Sequence, residues 1–320
     1  MHPDRYFSSN LEEREIARTL FATIEKQPII AESTLAPELF LDPTSQLRLD
    51  FERLNFSQLV IHQTPLCAIE TFETLKSTGF GGKLAPLYIA DNVTNPQSPN
   101  FVNNLDVFGT LTGCDAYTWK GYLEAHRIRR EVFKLYGATA IRCHMPTAQT
   151  AKFDPSDMLT LFRKTCIGKS TPAESEQFRS AMLCEFAKMS LDDGLDLQIQ
   201  AGGTRRIDYT LPLASLLENY GNAAFKIAIL THDEAAISTE LMPMAKNYPS
   251  LHLGLSPEFF SAYRLRAFKA ITADTNQIYP TYATSNNLSQ LAEITDSIRR
   301  ISASDLSKRI AQHEITEEDV

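Results

Sequence analysis

The sequence predicts an α/β fold in which parallel strands close into a (β/α)8 TIM barrel. Eight short apolar, β-rich runs alternate with helix-like stretches, and several runs, such as 225–230, are almost continuously apolar. Strands that are buried on both faces have this composition, and parallel sheets bury both faces. The chain has 320 residues, which accommodates the roughly 250 residues of such a barrel. An open, doubly wound sheet is the alternative.

The helices are indicated by apolar spacing and by their first residues. Ile16, Leu20 and Ile24 recur every four residues, which is typical of an amphipathic helix. Two further helices begin after Asp154 and Thr171, where a capping residue precedes a proline. The predicted helices are 11–25, 115–136, 157–165 and 172–189.

The strands are placed on the apolar runs between those helices. The predicted strands are 28–31, 58–62, 83–90, 138–144, 196–201, 225–232, 251–255 and 270–274. Glycine-rich run 79–82 precedes a strand instead of linking a strand to a helix, so it does not indicate a dinucleotide-binding loop. The chain 1–320 is expected to form a single barrel domain with a helical lead-in at 1–27 and a helical tail at 285–320.

Composition and charge exclude several classes of protein. The 31 Lys and Arg residues are outnumbered by 39 Asp and Glu residues, which gives a net charge of −8. The basic face that nucleic acids or anionic membranes require is therefore not expected, and no run approaches the ~18 apolar residues of a membrane span. The five cysteines are odd in number and form no Cys-x-x-Cys pair, which indicates reduced thiols in a cytoplasmic protein.

Titratable side chains lie at the predicted strand ends, where a barrel places its function. His62, His144 and His232 end the second, fourth and sixth strands, and Asp274 ends the eighth. These residues are expected to converge on one pocket, with Asp274, His144 and His232 as catalytic groups, because imidazole exchanges a proton near neutral pH. The alternative is that each histidine is a hydrogen-bonded residue at the base of a loop.

The same edge carries candidate ligand-binding groups. Arg205 follows the fifth strand, and its guanidinium or that of Arg206 is expected to clamp an anionic group. His62, Arg142 and Asp233 complete the predicted substrate-binding set for a small polar ligand. The sequence has no His-x-His pair and no His-Glu-x-x-His motif, so spacing alone predicts no metal site.

A series of short motifs also runs through nearly the whole chain in a recognisable order. They begin with His2-Pro-Asp-Arg-Tyr-Phe7 and include Trp119-Lys-Gly-Tyr-Leu-Glu124 and Leu197-Gln-Ile-Gln-Ala-Gly202 followed by Arg205. The other motifs are 17–18, 27–30, 111–115, 137–139, 146–148, 189–194, 233–234, 248–249, 274–275 and 299–313. Together they resemble the uronate isomerase (glucuronate isomerase) family of the amidohydrolase superfamily.

This resemblance implies a (β/α)8 barrel of the metal-dependent hydrolase type, here shortened and with a reduced helical insertion. It implies an intramolecular oxidoreductase, an aldose–ketose isomerase that interconverts D-glucuronate with D-fructuronate and D-galacturonate with D-tagaturonate. The reaction moves a proton between C1 and C2. A divalent metal, typically zinc, is the usual cofactor of the family.

Several positions depart from the family pattern. Ser33 and Leu35 stand where members have His-x-His, and Gln200 replaces a histidine of the fifth strand. Ile89 and Asn276 replace arginines. Since a leucine cannot bind a metal and a serine hydroxyl is a poor substitute for imidazole, no metal cofactor is expected and ordinary isomerase activity is expected to be low.

Three functions therefore stay open. The chain could be a family member with a degraded metal site that still binds a sugar acid. It could be an active isomerase or hydrolase with a site rebuilt from His62, His144, His232 and Asp274, or a non-catalytic scaffold. A small sugar acid is the expected ligand, nucleic acid and membrane are not expected as partners, and a homo-oligomer is left open.

Overall fold

The computed structural model describes residues 2–150, 154–203 and 205–316, with the side chain of Pro155 excepted. Seven parallel strands form one curled sheet in which the spatial order follows the chain order. The strands are β1 (Ile29–Ser33), β2 (Phe56–Gln63), β3 (Leu84–Ile89), β4 (Ala140–Met145), β5 (Asp196–Ala201), β6 (Ile227–Thr231) and β7 (Leu251–Leu255). The predicted α/β architecture with parallel strands is confirmed.

Helices connect successive strands, and each of the four longest, α1, α6, α8 and α13, begins at a side chain that accepts a hydrogen bond from the first turn. The helix α8 carries a capping box in which Thr171 and Glu174 bond each other's backbone, and it ends at Gly194 in the left-handed conformation. The α-helices are α1 (Leu11–Ile24), α2 (Gln46–Arg53), α3 (Glu70–Ser77), α4 (Asp91–Thr94), α5 (Phe101–Thr112), α6 (Trp119–Leu135), α7 (Pro155–Cys166), α8 (Pro172–Asp193), α9 (Thr210–Tyr220), α10 (Glu234–Ala236), α11 (Met242–Ala245), α12 (Ala262–Ile271) and α13 (Leu288–Ala311). A π-helical turn (Ile237–Leu241) joins α10 to α11, and 3-10 turns cover Pro37–Phe40 and Pro257–Phe259.

The eighth predicted strand, 270–274, is wrong. Ala270 and Ile271 belong to the last turn of α12, and the residues from Thr272 to Asp274 form the turn that follows it. A short apolar run cannot be assigned to strand or helix from periodicity alone. Here the run continues the helix because Phe268, four residues before Thr272, anchors that face in the core.

An irregular segment after that turn, 276–285, lies between the two edge strands of the sheet. Leu253 of β7 donates its N–H to the carbonyl of Gln277 and accepts from the N–H of Tyr279. Glu32 of β1 accepts from Ser285 and donates to the carbonyl of Ala283. The segment thus bonds both edges of the sheet. With each edge strand it forms one isolated parallel bridge and no continuous ladder.

The two faces of the sheet differ in polarity. On β4, Ile141 and Cys143 face the hydrophobic core that the helices cover, whereas Arg142 faces the inner side of the curled sheet. Successive strand residues point to opposite faces, so the inner side is shared by polar residues of β1, β2, β4 and β5, namely Glu32, His62, Arg142, His144, Gln198 and Gln200. The polar interior, and not a large apolar pocket, therefore positions the candidate site.

The two ends of the chain pack against each other outside the sheet. Phe21 of α1 is buried, and the guanidinium of Arg300 on α13 lies 4.0 Å from the centre of its ring. All five cysteines are free thiols. Among the described helices, none combines the length and the apolar character that a bilayer crossing requires.

Candidate functional site

A network of buried polar side chains fills the inner side of the sheet. Arg142 of β4 donates from Nη1 and Nη2 to the two carboxylate oxygens of Glu32 on β1, each at 2.7 Å. Its Nε donates to Oε1 of Gln198 on β5 at 2.7 Å, and Nε2 of His62 lies 2.8 Å from the same Glu32 carboxylate. Tyr279 of the irregular segment accepts from Gln198 Nε2 at 3.2 Å. The network therefore spans the interior from β1 to β5.

The charge of Glu32 is balanced inside this network. Burial by itself would raise the pKa of the carboxyl group, but the charge of Arg142 and the hydrogen bonds from His62 and Arg142 outweigh it and hold the pKa at about 2. Glu32 is therefore an ionised, fully paired carboxylate, and Arg142 is its neutralising cation.

A second cluster lies one layer nearer the carboxyl ends of the strands. Nδ1 of His144, near the end of β4, is 2.7 Å from Oδ2 of Asp91, the first residue of α4. The backbone N–H of His144 donates to Asp91 Oδ1 at 3.1 Å. Arg179 of α8 lies 3.5 Å from the same oxygen and also donates to the carbonyl oxygen of His144. The imidazole is thus held by an oriented carboxylate, and its side chain is 38% exposed.

Arginines surround a cavity of about 420 Å³ beyond the ends of β5 and β6. Its lining comprises Arg205, Arg206, His232, Asp233, Glu234, Ala235 and Arg264. Arg206 Nε lies 3.9 Å from Asp233 Oδ2, while Arg205 and Arg264 form no salt bridge among the described residues. Three guanidinium groups against two carboxylates leave the cavity with a net positive lining, which suits an anion.

The imidazole of His232 forms one wall of this cavity. Its ring packs on Phe259 with the centroids 3.9 Å apart. Burial, followed by the nearby charge of Arg264, lowers the pKa of His232 below its ordinary value. At neutral pH the ring is therefore an uncharged hydrogen-bonding group beside the arginines.

A tight turn places Arg205 at this edge. Gly202 has a φ of +82°, which favours glycine, and a Cβ there would lie 2.9 Å from the carbonyl oxygen of Arg205. The N–H of Arg205 in turn donates to the carbonyl of Gly202 at 2.9 Å. The chain therefore folds back directly after β5 and carries Arg205 and Arg206 over the strand ends.

A larger polar cavity of about 740 Å³ lies on the other side of the same loop. It is lined by Thr147, Gln149, Ala173, Glu176, Gln177, Ser180, Ile207, Asp208 and Pro212. Six of these nine residues carry a hydroxyl, amide or carboxylate group, and such groups bond sugar hydroxyls well. The two cavities share the loop that Gly202 initiates.

The structure separates the predicted site residues into groups. Arg205, His232 and Asp233 line one cavity, and His144 lies near the end of β4 on the same edge of the sheet. Arg142 and His62 lie within their strands, farther from the carboxyl ends than the residues that line the cavity.

Asp274 does not join these groups. It is exposed in the turn after α12, three residues before Gln277, whose side-chain amide donates to the carbonyl of Leu251 at the start of β7. Asp274 was predicted to be catalytic because an eighth strand was predicted at 270–274. Since that strand is absent, the prediction that Asp274 shares a pocket with the three histidines is wrong. The segment that does bond β7 and β1 starts only after this aspartate.

Sequence reasoning gave no role to four residues that complete these clusters. Glu32 and Asp91 are polar residues at the ends of predicted strands, and this position could have identified them as candidates for the site. Arg179 and Arg264 lie within helices, where charged residues usually face solvent, so no local signal distinguished them. Within the described residues, no three His, Cys, Asp or Glu side chains are grouped so that they could hold a metal ion.

The fold is that of a class of enzymes with known structures. A glucuronate isomerase from Caulobacter crescentus superposes with a TM-score of 0.88 at 25% identity, covering 98% of this chain and 92% of that chain. A uronate isomerase from Thermotoga maritima superposes with a TM-score of 0.77 over 87% of this chain at 17% identity, which shows the fold alone. The same holds for a metal-dependent hydrolase described from Lactobacillus casei, with a TM-score of 0.55.

The sequence comparisons are more specific. The family model of glucuronate isomerase matches residues 43–242. Uronate isomerases from Phenylobacterium zucineum and Xanthomonas campestris are 34% and 33% identical over 88% and 87% of this chain. The chain belongs to the uronate isomerase family. It spans 64% of the length of these two relatives.

Proposed function

We propose that this chain binds a sugar acid at the carboxyl ends of its strands and has lost the zinc-dependent isomerisation of its family. The arginine-lined cavity beside His232 is the observation that carries the binding half of this proposal. Arg205 and Arg264 face it without a carboxylate partner in the described part of the chain, so a ligand carboxylate would supply the missing counter-charge. The adjacent polar cavity offers partners for the hydroxyl groups of the same ligand.

The donor groups do not fit a zinc ion. Ser33, at a position where the family has histidine, donates its hydroxyl to the carbonyl of Ser285 at 2.8 Å and accepts from the N–H of Leu35 at 3.1 Å. The neighbouring carboxylate of Glu32 is taken up by Arg142. Zinc sites need at least three protein ligands from histidine, cysteine or carboxylate side chains, and this edge of β1 offers none that is unengaged.

We further infer that segment 276–285 takes the place of an eighth strand and closes the sheet into a TIM barrel. Its parallel bridges to Leu253 on β7 and to Glu32 on β1 support this closure. Closure would explain why Arg142 and Glu32 are sealed from solvent inside the sheet.

Titration calorimetry with D-glucuronate and D-galacturonate tests the binding half. Binding is expected for the acids and not for D-glucose, which has no carboxylate. Arg264→Gln and Arg205→Gln should each weaken binding about tenfold or more, since a hydrogen bond to a charged group contributes roughly 1.5–3 kcal/mol. Arg53→Gln, at an exposed salt bridge with Asp50, is the matched control and should bind normally.

Metal analysis of protein purified without a chelator tests the other half. Zinc well below one equivalent is expected, together with a melting temperature that EDTA does not change, because a metal bound to the folded state would stabilise it. One tightly held zinc per chain and turnover of a hexuronate would refute the loss of metal chemistry. Absence of binding by any sugar acid would leave a scaffold role instead.

A rebuilt active enzyme is the second candidate. One specific observation favours it: His144 is oriented by Asp91 as a general base is oriented in hydrolytic enzymes.

A further inference from the structure

His144 and Asp91 have the geometry of an acid–base pair. Asp91 Oδ2 lies 2.7 Å from His144 Nδ1, so the imidazole carries its proton on Nδ1 toward the carboxylate. The opposite nitrogen, Nε2, then presents a lone pair. Nε2 has no hydrogen-bond partner within the described residues, and the side chain is 38% exposed. It can therefore reach a ligand at the strand ends.

The carboxylate of Asp91 is itself fixed. It accepts the backbone N–H of His144 at 3.1 Å and lies 3.5 Å from Arg179 Nη2. Arg179 also donates to the carbonyl oxygen of His144, so one guanidinium from α8 holds both the backbone and the partner of this histidine. A base oriented by a third group in this manner is the arrangement that activates proton transfer.

Strand register relates this pair to the arginine-lined cavity. His144 on β4 lies beside Gln200 on β5, and Gln200 lies beside Leu230 on β6, two residues before His232. Two strand spacings separate β4 from β6, about 10 Å. The proposed pose seats the carboxylate of a six-carbon sugar acid among Arg205 and Arg264 and directs its opposite, carbonyl-bearing end along the strand ends toward His144.

We propose that His144 is a metal-independent general base for the sugar acid of the proposed function, and that Asp91 is its positioning residue. This inference rests on the binding proposed above. In the open-chain aldehyde, His144 Nε2 takes the proton from C2, and the electrons of the C2–H bond form a C1–C2 double bond while the carbonyl oxygen becomes an enediolate oxygen. The resulting imidazolium is stabilised by the Asp91 carboxylate.

The step is completed by return of the proton. Delivery to C2 regenerates the starting acid, whereas delivery to C1, with transfer of the O2 hydroxyl proton to O1, gives the ketose. No oxidant or reductant is consumed. In D2O the base exchanges its proton with solvent, so either outcome introduces deuterium into the sugar.

Deuterium incorporation into D-glucuronate and D-galacturonate, followed by proton NMR with EDTA-treated protein, tests this step. Wild-type protein should exchange the C2 proton faster than buffer alone. His144→Ala should lower the rate about 100-fold or more, the typical contribution of a positioned base, and added imidazole should restore part of it. Asp91→Asn should lower the rate without weakening sugar-acid binding measured by calorimetry. His313→Asn, at an exposed position beyond α13, should leave the rate unchanged.

Each outcome is decisive and separates this inference from the proposed function. If the sugar acids bind but His144→Ala exchanges like wild type, or if EDTA abolishes exchange, the role of His144 is refuted while sugar-acid binding stands. If neither acid binds, the proposed function fails and the inference fails with it. Imidazole rescue of His144→Ala, but not of Asp91→Asn, would identify base and positioning residue separately.

Discussion

At the scale of single residues, the tertiary partner decides what a polar side chain does. Arg142 and His62 were predicted to bind a ligand because they lie on strands that lead to the functional edge. Both instead contact Glu32 on β1, which is the neighbouring strand for His62 and three strands away from Arg142 on β4. Arg142 is 1% exposed. Their hydrogen bonds are therefore used within the protein, whereas Arg205 and Arg264 line a cavity and form no salt bridge within the described part of the chain.

Glu32→Gln is expected to destabilise the protein by about 3–5 kcal/mol, because it leaves the buried guanidinium of Arg142 without its counter-charge. Urea unfolding measures this change. Glu52→Gln removes a carboxylate that is 64% exposed and pairs with Lys83, and it should change stability by less than about 0.5 kcal/mol. Combining Glu32→Gln with Arg142→Met should recover much of the loss. Equal stability of the two glutamine variants would contradict the buried pair.

Stability should also fall as the pH decreases below 6.5, because of His126. Burial among aromatic rings, followed by the charge of Arg130, lowers the pKa of His126 well below 6.5. The unfolded imidazole takes up a proton that the folded one excludes, so the contribution is complete above pH 6.5 and is lost, by at most about 1.4 kcal/mol per pH unit, as the pH falls toward the folded pKa. Melting temperatures between pH 7.5 and 5 measure the slope.

Two variants test whether His126 causes this dependence of stability on pH. His126→Asn should flatten it, leaving a smaller contribution from His232, whose pKa is also lowered. His313→Asn, at an exposed residue, should retain the wild-type slope. A wild-type stability that is constant between pH 7.5 and 5 would show that His126 is not buried as an uncharged ring.

At the scale of elements, all seven strands of the sheet could be predicted from apolar runs, since a strand covered on both faces has a composition that few other elements share. The eighth predicted strand, 270–274, was wrong, and the irregular segment after it was not predicted. Segment 276–285 contains no continuous apolar run, and it bonds β7 and β1 only at scattered positions. The position of such a segment is set by its tertiary contacts with the two edge strands and not by its own sequence pattern.

Close packing of that segment against β7 gives a prediction. A Cβ at Gly254 would lie 2.6 Å from Leu230 Cδ2 and 2.9 Å from Thr281 Cγ2. Gly254→Ala is therefore expected to destabilise the protein by about 1–3 kcal/mol through overpacking, as measured by urea unfolding. Leu230→Val removes one of the two contacts, so the double variant should lose less than the two single losses combined. Strict additivity would argue against this contact.

At the scale of the whole molecule, the helical lead-in and tail are expected to unfold together with the sheet as one domain. Phe21 joins α1 to α13 through Arg300, whereas Trp119, the single tryptophan, lies on α6 among Tyr122 and Phe162. These two regions are separated along the chain and have no shared partner among these contacts.

Phe21→Ala should therefore destabilise the protein by about 3–5 kcal/mol and shift the fluorescence transition of Trp119 by the same amount as the circular dichroism transition. Leu11→Ala, on the same helix but 71% exposed, should stay within about 0.5 kcal/mol of wild type. If only the circular dichroism transition moves, the ends of the chain unfold separately from α6.

The candidate site could also be predicted only in part from the sequence. Strand-end position was enough to place His144, His232, Arg205 and Asp233 on one edge of the sheet, because the carboxyl ends of parallel strands share one edge; their roles stay predictions. The position of Asp274 was wrong, because 270–274 is not a strand and the residue is exposed in the turn after α12.

The sequence by itself determined the parallel α/β architecture, the seven regular strands and the family, because these depend on composition and order along the chain. The tertiary structure alone decided which charges are neutralised inside the sheet and which line a cavity. Glu32 meets Arg142, and Asp91 meets Arg179, across 110 and 88 residues. The curvature and register of the sheet set those pairings, and neither quantity is encoded in any single stretch of the chain.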